Sequence, residues 1–232
     1  MLAVTFLLLS LALSPAAQNG QNGSSEQPVI VSTGEAVLQR SPDIAYVSME
    51  FESTADSPRD AQQDNTKLLT TVRGRLTRSR MPQDALRIVA LVLQQEYENI
   101  NGKQVPRKGR YLAKTTVEIR VDDVARAGEI AEVMIQAGAS ALKGVRFDLR
   151  DRPTVEREAL RLSVEDAYAR ADAAAAGAAK TIERIVRIEE SPSESVISRP
   201  TVLVRVEGAS SGNVEPGVLE IRAHVTMTVA VK

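Results

Sequence analysis

Apolar and polar side chains alternate through Ile44–Ser53, with Ala45, Val47, Met49 and Phe51 on one side and Ser48, Glu50 and Glu52 on the other, joined by Ile44 and Tyr46. A period of two places successive side chains on opposite faces, so this is a strand with one core face. The C-terminal stretch repeats the pattern over a greater length. Leu219, Ile221, Ala223, Val225, Met227, Val229 and Val231 share one face, and Glu220, Arg222, His224, Thr226 and Thr228 share the other. The β-rich run Pro28–Leu38, interrupted by Gly34, is a further strand, as are Ala85–Glu98, Tyr111–Val121, Val145–Leu149, Ile182–Ile188 and Thr201–Val206. Asn101-Gly102 predicts a two-residue hairpin turn, because both residue types tolerate positive φ.

Three stretches change period from two to that of a helix. Ser57 suits an N-cap, Pro58 the first helical position and Asp60 the first turn. Ala61, Asn65, Leu68, Leu69, Val72 and Leu76 then recur at helical spacing, and Pro82 closes the element. Asp122 or Asp123 caps a second helix, Val124–Ala137, with Val124, Ala127, Ala131 and Met134 as its apolar stripe and Gly138 just past its end. The third helix, Thr154–Lys180, is the longest. Leu160, Val164, Ala167, Ala171, Ala174 and Ala178 step along it by fours and threes. This seam is thin because alanine makes most of it, and alanine admits close approach of another backbone. It fits a helix set tightly on the domain's own sheet, or a contact with a second subunit. Strands in pairs alternating with helices predict an α+β fold, with mostly antiparallel sheets and about three helices on them.

The N-terminus follows neither period. Leu2–Leu13 is a dozen residues without charge, too short for a membrane span of roughly 20 residues but of the length of a signal-peptide core. Ser14 and Ala16 suit the −3 and −1 positions of a cleavage site, so residues 1–16 are expected to be removed. Residues 17–27, rich in Gly, Asn and Ser, then read as a flexible tether, and residues 28–232 as the folded domain. The mature chain is expected in the periplasm or secreted, with no membrane span after cleavage.

Composition narrows the chemistry. The chain lacks Cys and holds a single His among its 232 residues, so thiolate chemistry is excluded and any His-dependent network would rest on His224 alone. His224 fits a catalytic imidazole less well than a partly solvated strand residue. The 29 Lys+Arg balance 30 Asp+Glu, which gives no bias toward nucleic acid. Arg73, Arg75, Arg78 and Arg80 cluster near the end of the first helix. They fit an anion site, or a solvated face favoured by the helix dipole. Asp122/Asp123 and Glu189/Glu190 are paired carboxylates. Neighbours on a strand face opposite ways, so the second pair does not converge. The first reads as a helix cap, and Asp148 and Asp151 would have to join it to hold a hard cation. No catalytic, cofactor or metal residues are assigned. Met49, Met134 and Met227 fall on core faces, which favours packing over a role as oxidisable thioethers.

The order of motifs resembles the SIMPL-domain family over about Val29–Val231. VIVSTGEA is similar to that family's V-x-V-x-G-x-G opening, with Ala36 in place of the second Gly. Pro42-Asp43 precedes the alternating strand, and KGRYLAKTTVEIRVDD resembles the G-Y-x-A strand, with Arg110 inserted after Gly109. AGASALKGVRFDL matches through Gly138, Ala139, Gly144, Val145 and Phe147. EALRLSVEDAYARADAAAAGAA and VEPGVLEIRAHVTMTV match the long helix and the closing strand. The resemblance implies an exported, non-enzymatic α+β protein associated with the envelope or with oxidative stress. It also implies assembly into homo-oligomers, with another envelope protein as a possible partner. A periplasmic binding module for a small ligand or an unfolded client is the alternative.

Overall fold

The computed structural model describes residues 27–191 and 217–232. The leader, most of the tether and the Thr201–Val206 segment lie outside the described residues.

Among the described residues, seven strands form two antiparallel sheets. The first sheet has the order β1-β7-β6, from β1 (Val29–Arg40), β7 (Leu219–Val231) and β6 (Ile182–Glu190). The second has the order β3-β4-β2-β5, from β3 (Leu86–Ile100), β4 (Lys103–Val121), β2 (Ile44–Ala55) and β5 (Ala141–Asp148). Helices α1 (Pro58–Arg78) and α2 (Ala127–Gln136) cover the second sheet, and α3 (Arg152–Gly177) covers the first. The expected α+β fold with three helices is what the chain adopts.

The second sheet has the larger core. Ala45, Val47, Met49 and Phe51 of β2 are fully buried, as the alternation requires. They meet Val117, Ile119 and Val121 of β4, Val145 and Phe147 of β5, Leu69, Val72 and Leu76 of α1, and Ile130 and Met134 of α2. Asn65 is buried in the same layer. Its Nδ2 donates to the carbonyls of Phe51 and Ala113, both at 3.2 Å, and its Oδ1 accepts from the Thr115 hydroxyl at 2.6 Å. This one amide ties α1 to β2 and β4 and satisfies the polar atoms that burial would otherwise penalise.

The caps follow the sequence. Ser57 Oγ accepts from the Asp60 N–H, and Asp151 accepts from the Thr154 N–H. Asp123 accepts from the Ala125 N–H, but its helix begins as a 3-10 turn, Val124–Arg126, before α2 proper. Asn101 and Gly102 take φ of 52° and 80° and close the β3–β4 hairpin. The hairpin is longer than the alternation suggests, because β4 begins at Lys103 rather than Tyr111. Its register breaks at Val89 and again at Glu96, the second break opposite residues 107–110, with Gly109 at φ 74°. Arg110 reaches back from that break to Glu96, Asp56 and Thr54. The residue inserted after Gly109 thus fastens the bend.

The first sheet holds a separate core. Val225, Met227, Val229 and Val231 of β7 face Ala167, Ala171 and Ala175 of α3, and Ile221 and Ala223 face Ala159. Gly34 of β1 lies against α3 so closely that a Cβ there would sit 2.0 Å from the Ser163 carbonyl oxygen and 2.4 Å from the Ala167 nitrogen. Ser32 Oγ donates to the Ala167 carbonyl at 2.7 Å, and the Glu35 N–H donates to Asp166 at 3.0 Å. The two halves join at one corner. There the Asp43 N–H donates to the Asp148 carbonyl, the Arg150 N–H to Asp43, and Arg152 pairs with Asp148.

Candidate functional site

The residues of interest fall into three groups, two of them singled out in the sequence. The seam on α3 is the first. Ala167 and Ala171 are buried on the chain's own sheet, Leu160 and Val164 are half-buried beside them, and Ala174 and Ala178 are exposed. The buried row is Ala159, Ser163, Ala167, Ala171 and Ala175, which steps by four throughout. A row of fours is inclined to the helix axis, and so follows a twisted sheet better than the straight row of alternating fours and threes. The positions expected at 174 and 178 therefore rotate away, and Ala175 takes their place.

The second group is the charged residues. Asp123 and Asp151 are caps, and Asp122 pairs with Arg120 and Arg150. Asp148 pairs with Arg146 at 2.6 Å and Arg152 at 3.2 Å. Each carboxylate already has its own partner, and among the described residues no three His, Asp or Glu side chains converge as a metal site. Glu189 pairs with Arg187 on β6. His224 is half-buried on the central strand β7, opposite Glu35 of β1. Arg73, Arg75, Arg78 and Arg80 are all exposed. The open face of the second sheet is a ladder of matched charges. Glu118 sits between Arg87 at 2.7 Å and Arg146 at 3.4 Å, and Arg146 lies 4.1 Å from the Tyr46 ring centroid. Lys114 bridges Glu52 and Glu50, whose carboxylates hold its ammonium pKa above the ordinary value. Met49, Met134 and Met227 are fully buried, and Met81 is nearly so. Among the described residues no helix is long and apolar enough to cross a membrane.

The third group was not legible as a site. Among the described residues β3 and β6 are both outer strands, and their apolar side chains are left uncovered. Leu91, Val92 and Leu93 are 53%, 42% and 41% exposed, with Ile88 and Val89 comparable. Ile185, Val186 and Ile188 of β6 are nearly half exposed. α3 lies over β1 and β7, and α1 and α2 lie chiefly over β2, β4 and β5, so β6 and β3 are left at the margin of the helical cover. The sequence signal exists, since Ile88–Leu93 is an unbroken apolar run, but such a run reads equally as a buried strand.

Two antiparallel sheets, each backed by helices and each with an apolar outer strand among the described residues, define an α+β domain. The chain belongs to the SIMPL family, described as a protein of unknown function (DUF541), whose model matches residues 30–229. The chain is also similar to the 26 kDa periplasmic immunogenic proteins of Brucella melitensis biotype 1 and Brucella abortus strain S19. Each is 28% identical over 207 residues, covering 86% of this chain and 80% of the relative.

Proposed function

We propose that this chain is an exported periplasmic protein that acts without catalysis, by associating with copies of itself, in protection of the envelope or against oxidative stress. The observation that carries the reading is the uncovered apolar edge of β3. Contiguous exposed apolar surface on a soluble domain marks an interaction site. The charged side chains around it are already paired, which favours binding by surface over acid–base chemistry. The periplasmic names of the Brucella relatives support export, as does the apolar leader. The stress role rests on the family resemblance.

The test is the absolute mass of the chain from Ala17 to Lys232, by light scattering after size exclusion. A discrete multiple of the protomer mass is expected. A monomer at all concentrations would overturn self-association. Loss of peroxide resistance on deleting the gene is expected for the stress role, and unchanged survival would remove it.

A further inference from the structure

Among the described residues, three of the four outer strands are protected against further pairing. On β1 the outward N–H of Glu35 is taken by Asp166 of α3. β6 carries Glu183, Arg184, Arg187, Glu189 and Glu190 within its nine residues. β5 spans eight residues, has a bulge opposite Ser48/Met49 and carries Lys143, Arg146 and Asp148. Charge, bulges and short length are the usual devices that prevent strand addition. β3 uses them differently. Its bulge lies at Val89, and from Ala90 to Gln95 it runs in regular register with no charged residue.

We propose that β3 pairs antiparallel with β3 of a second copy across a two-fold axis at Val92, which merges two four-stranded sheets into one of eight. This rests on the self-association reading above and names its contact. A pairing centred on Val92 sets Leu91 opposite Leu93 and Ala90 opposite Gln94, so the uncharged stretch meets itself. The flanking charges select the direction. Arg87, paired with Glu118 but largely exposed, stands at one end of the stretch, and Glu96 with its partners Arg107 and Arg110 at the other, so antiparallel pairing brings each Arg87 toward the partner's end that carries Glu96 and keeps the two arginine-rich ends apart. Parallel pairing would set like against like. The 3-10 turn Gln83–Ala85 and the break at Glu96 limit the paired length at both ends. A two-fold contact is isologous, so a single patch suffices on each copy.

The absence of cysteine makes the test direct. Residues facing each other across an antiparallel pair have Cβ atoms about 4.5–5.5 Å apart, near disulfide reach. Val92→Cys, and Leu91→Cys combined with Leu93→Cys in one chain, should give a covalent dimer on mild oxidation, and Val37→Cys, exposed on β1, should not. Val92→Lys should lower the solution mass about twofold or more, with an unchanged melting profile because the side chain is exposed. If Val92→Lys unfolds the chain, the cysteine variants alone decide. An associating wild type with no crosslink at 92 or between 91 and 93 and no loss of mass in Val92→Lys would overturn the β3 contact and leave self-association standing. A monomeric wild type would overturn both and leave the edge to a strand of another protein.

Discussion

Gly34 and Ala167 share a space that admits no Cβ on the strand side. A methyl group on residue 34 would lie 2.7 Å from the Ala167 Cβ and nearer still to α3 backbone atoms. Backbone cannot swing aside as a long side chain can, so the helix would have to lift from the sheet. Gly34→Ala is expected to destabilise the chain by about 2–3 kcal/mol or more, in the range of overpacked cores. Ala36→Gly, two residues along the same face, should cost about 1 kcal/mol or less. Urea unfolding of both variants checks the contrast.

The buried amide of Asn65 supports a second prediction. Asn65→Leu removes a donor shared by two carbonyls and leaves the Thr115 hydroxyl buried without its acceptor. A loss of about 2–3 kcal/mol is expected. Thr115→Val added to Asn65→Leu should recover part of that loss, because the orphaned hydroxyl is gone. A double-mutant cycle by chemical denaturation measures the coupling.

Ala179 follows α3 with φ 55°, and the Lys180 N–H closes the helix end on the Ala175 carbonyl at 2.8 Å. A left-handed residue at this position is the ordinary place for glycine. Ala179→Gly should therefore stabilise the chain by about 1 kcal/mol, and raise the melting temperature by roughly 2–4 °C. Differential scanning calorimetry reads it. A fall in melting temperature would count against the cap.

The Glu35 N–H and then Arg170 hold the Asp166 carboxyl below its ordinary value of 3.8. A depressed carboxyl contributes stability that is complete above the unfolded value and is lost as pH falls through the folded one. Glu129 and Glu220 are lowered in the same direction by Arg126 and Arg222. Acid unfolding should therefore steepen below about pH 4. Asp166→Asn should be less stable than the wild type at neutral pH, with the gap narrowing toward pH 2. A gap independent of pH would assign the loss to packing alone.

The sequence made some of this legible and hid the rest for identifiable reasons. β2 and β7 alternate strictly because one face of each is buried and the other is not. Ser57, Asp123 and Asn101-Gly102 show their chemistry in residue type alone. The division into two sheets was not visible. β1 and β2 are three residues apart yet lie in different sheets, and β1 pairs with β7, far away in sequence, Val29 opposite Ala230. Local pattern carries no such long-range information. The α3 row was half visible, since alanine occupies both the row of fours and the row that alternates. Only the twist of the sheet chooses between Ala174 and Ala175. The β3 edge was hidden by its own composition, because an apolar strand looks the same whether its cover comes from this chain or from another.

The pairing of the first strand with the last has a consequence for the order of events during synthesis. β2 through β5, with α1 and α2, are contiguous from Ile44 to Asp148, so the larger core can close while the ribosome is still at work. The smaller one cannot. α3 emerges with no central strand to lie on, and Gly34 waits beside an incomplete sheet. Only the arrival of the final thirteen-residue strand completes it. In a polypeptide threaded through a membrane, the smaller core alone would be kept open by connectivity until β7 had crossed.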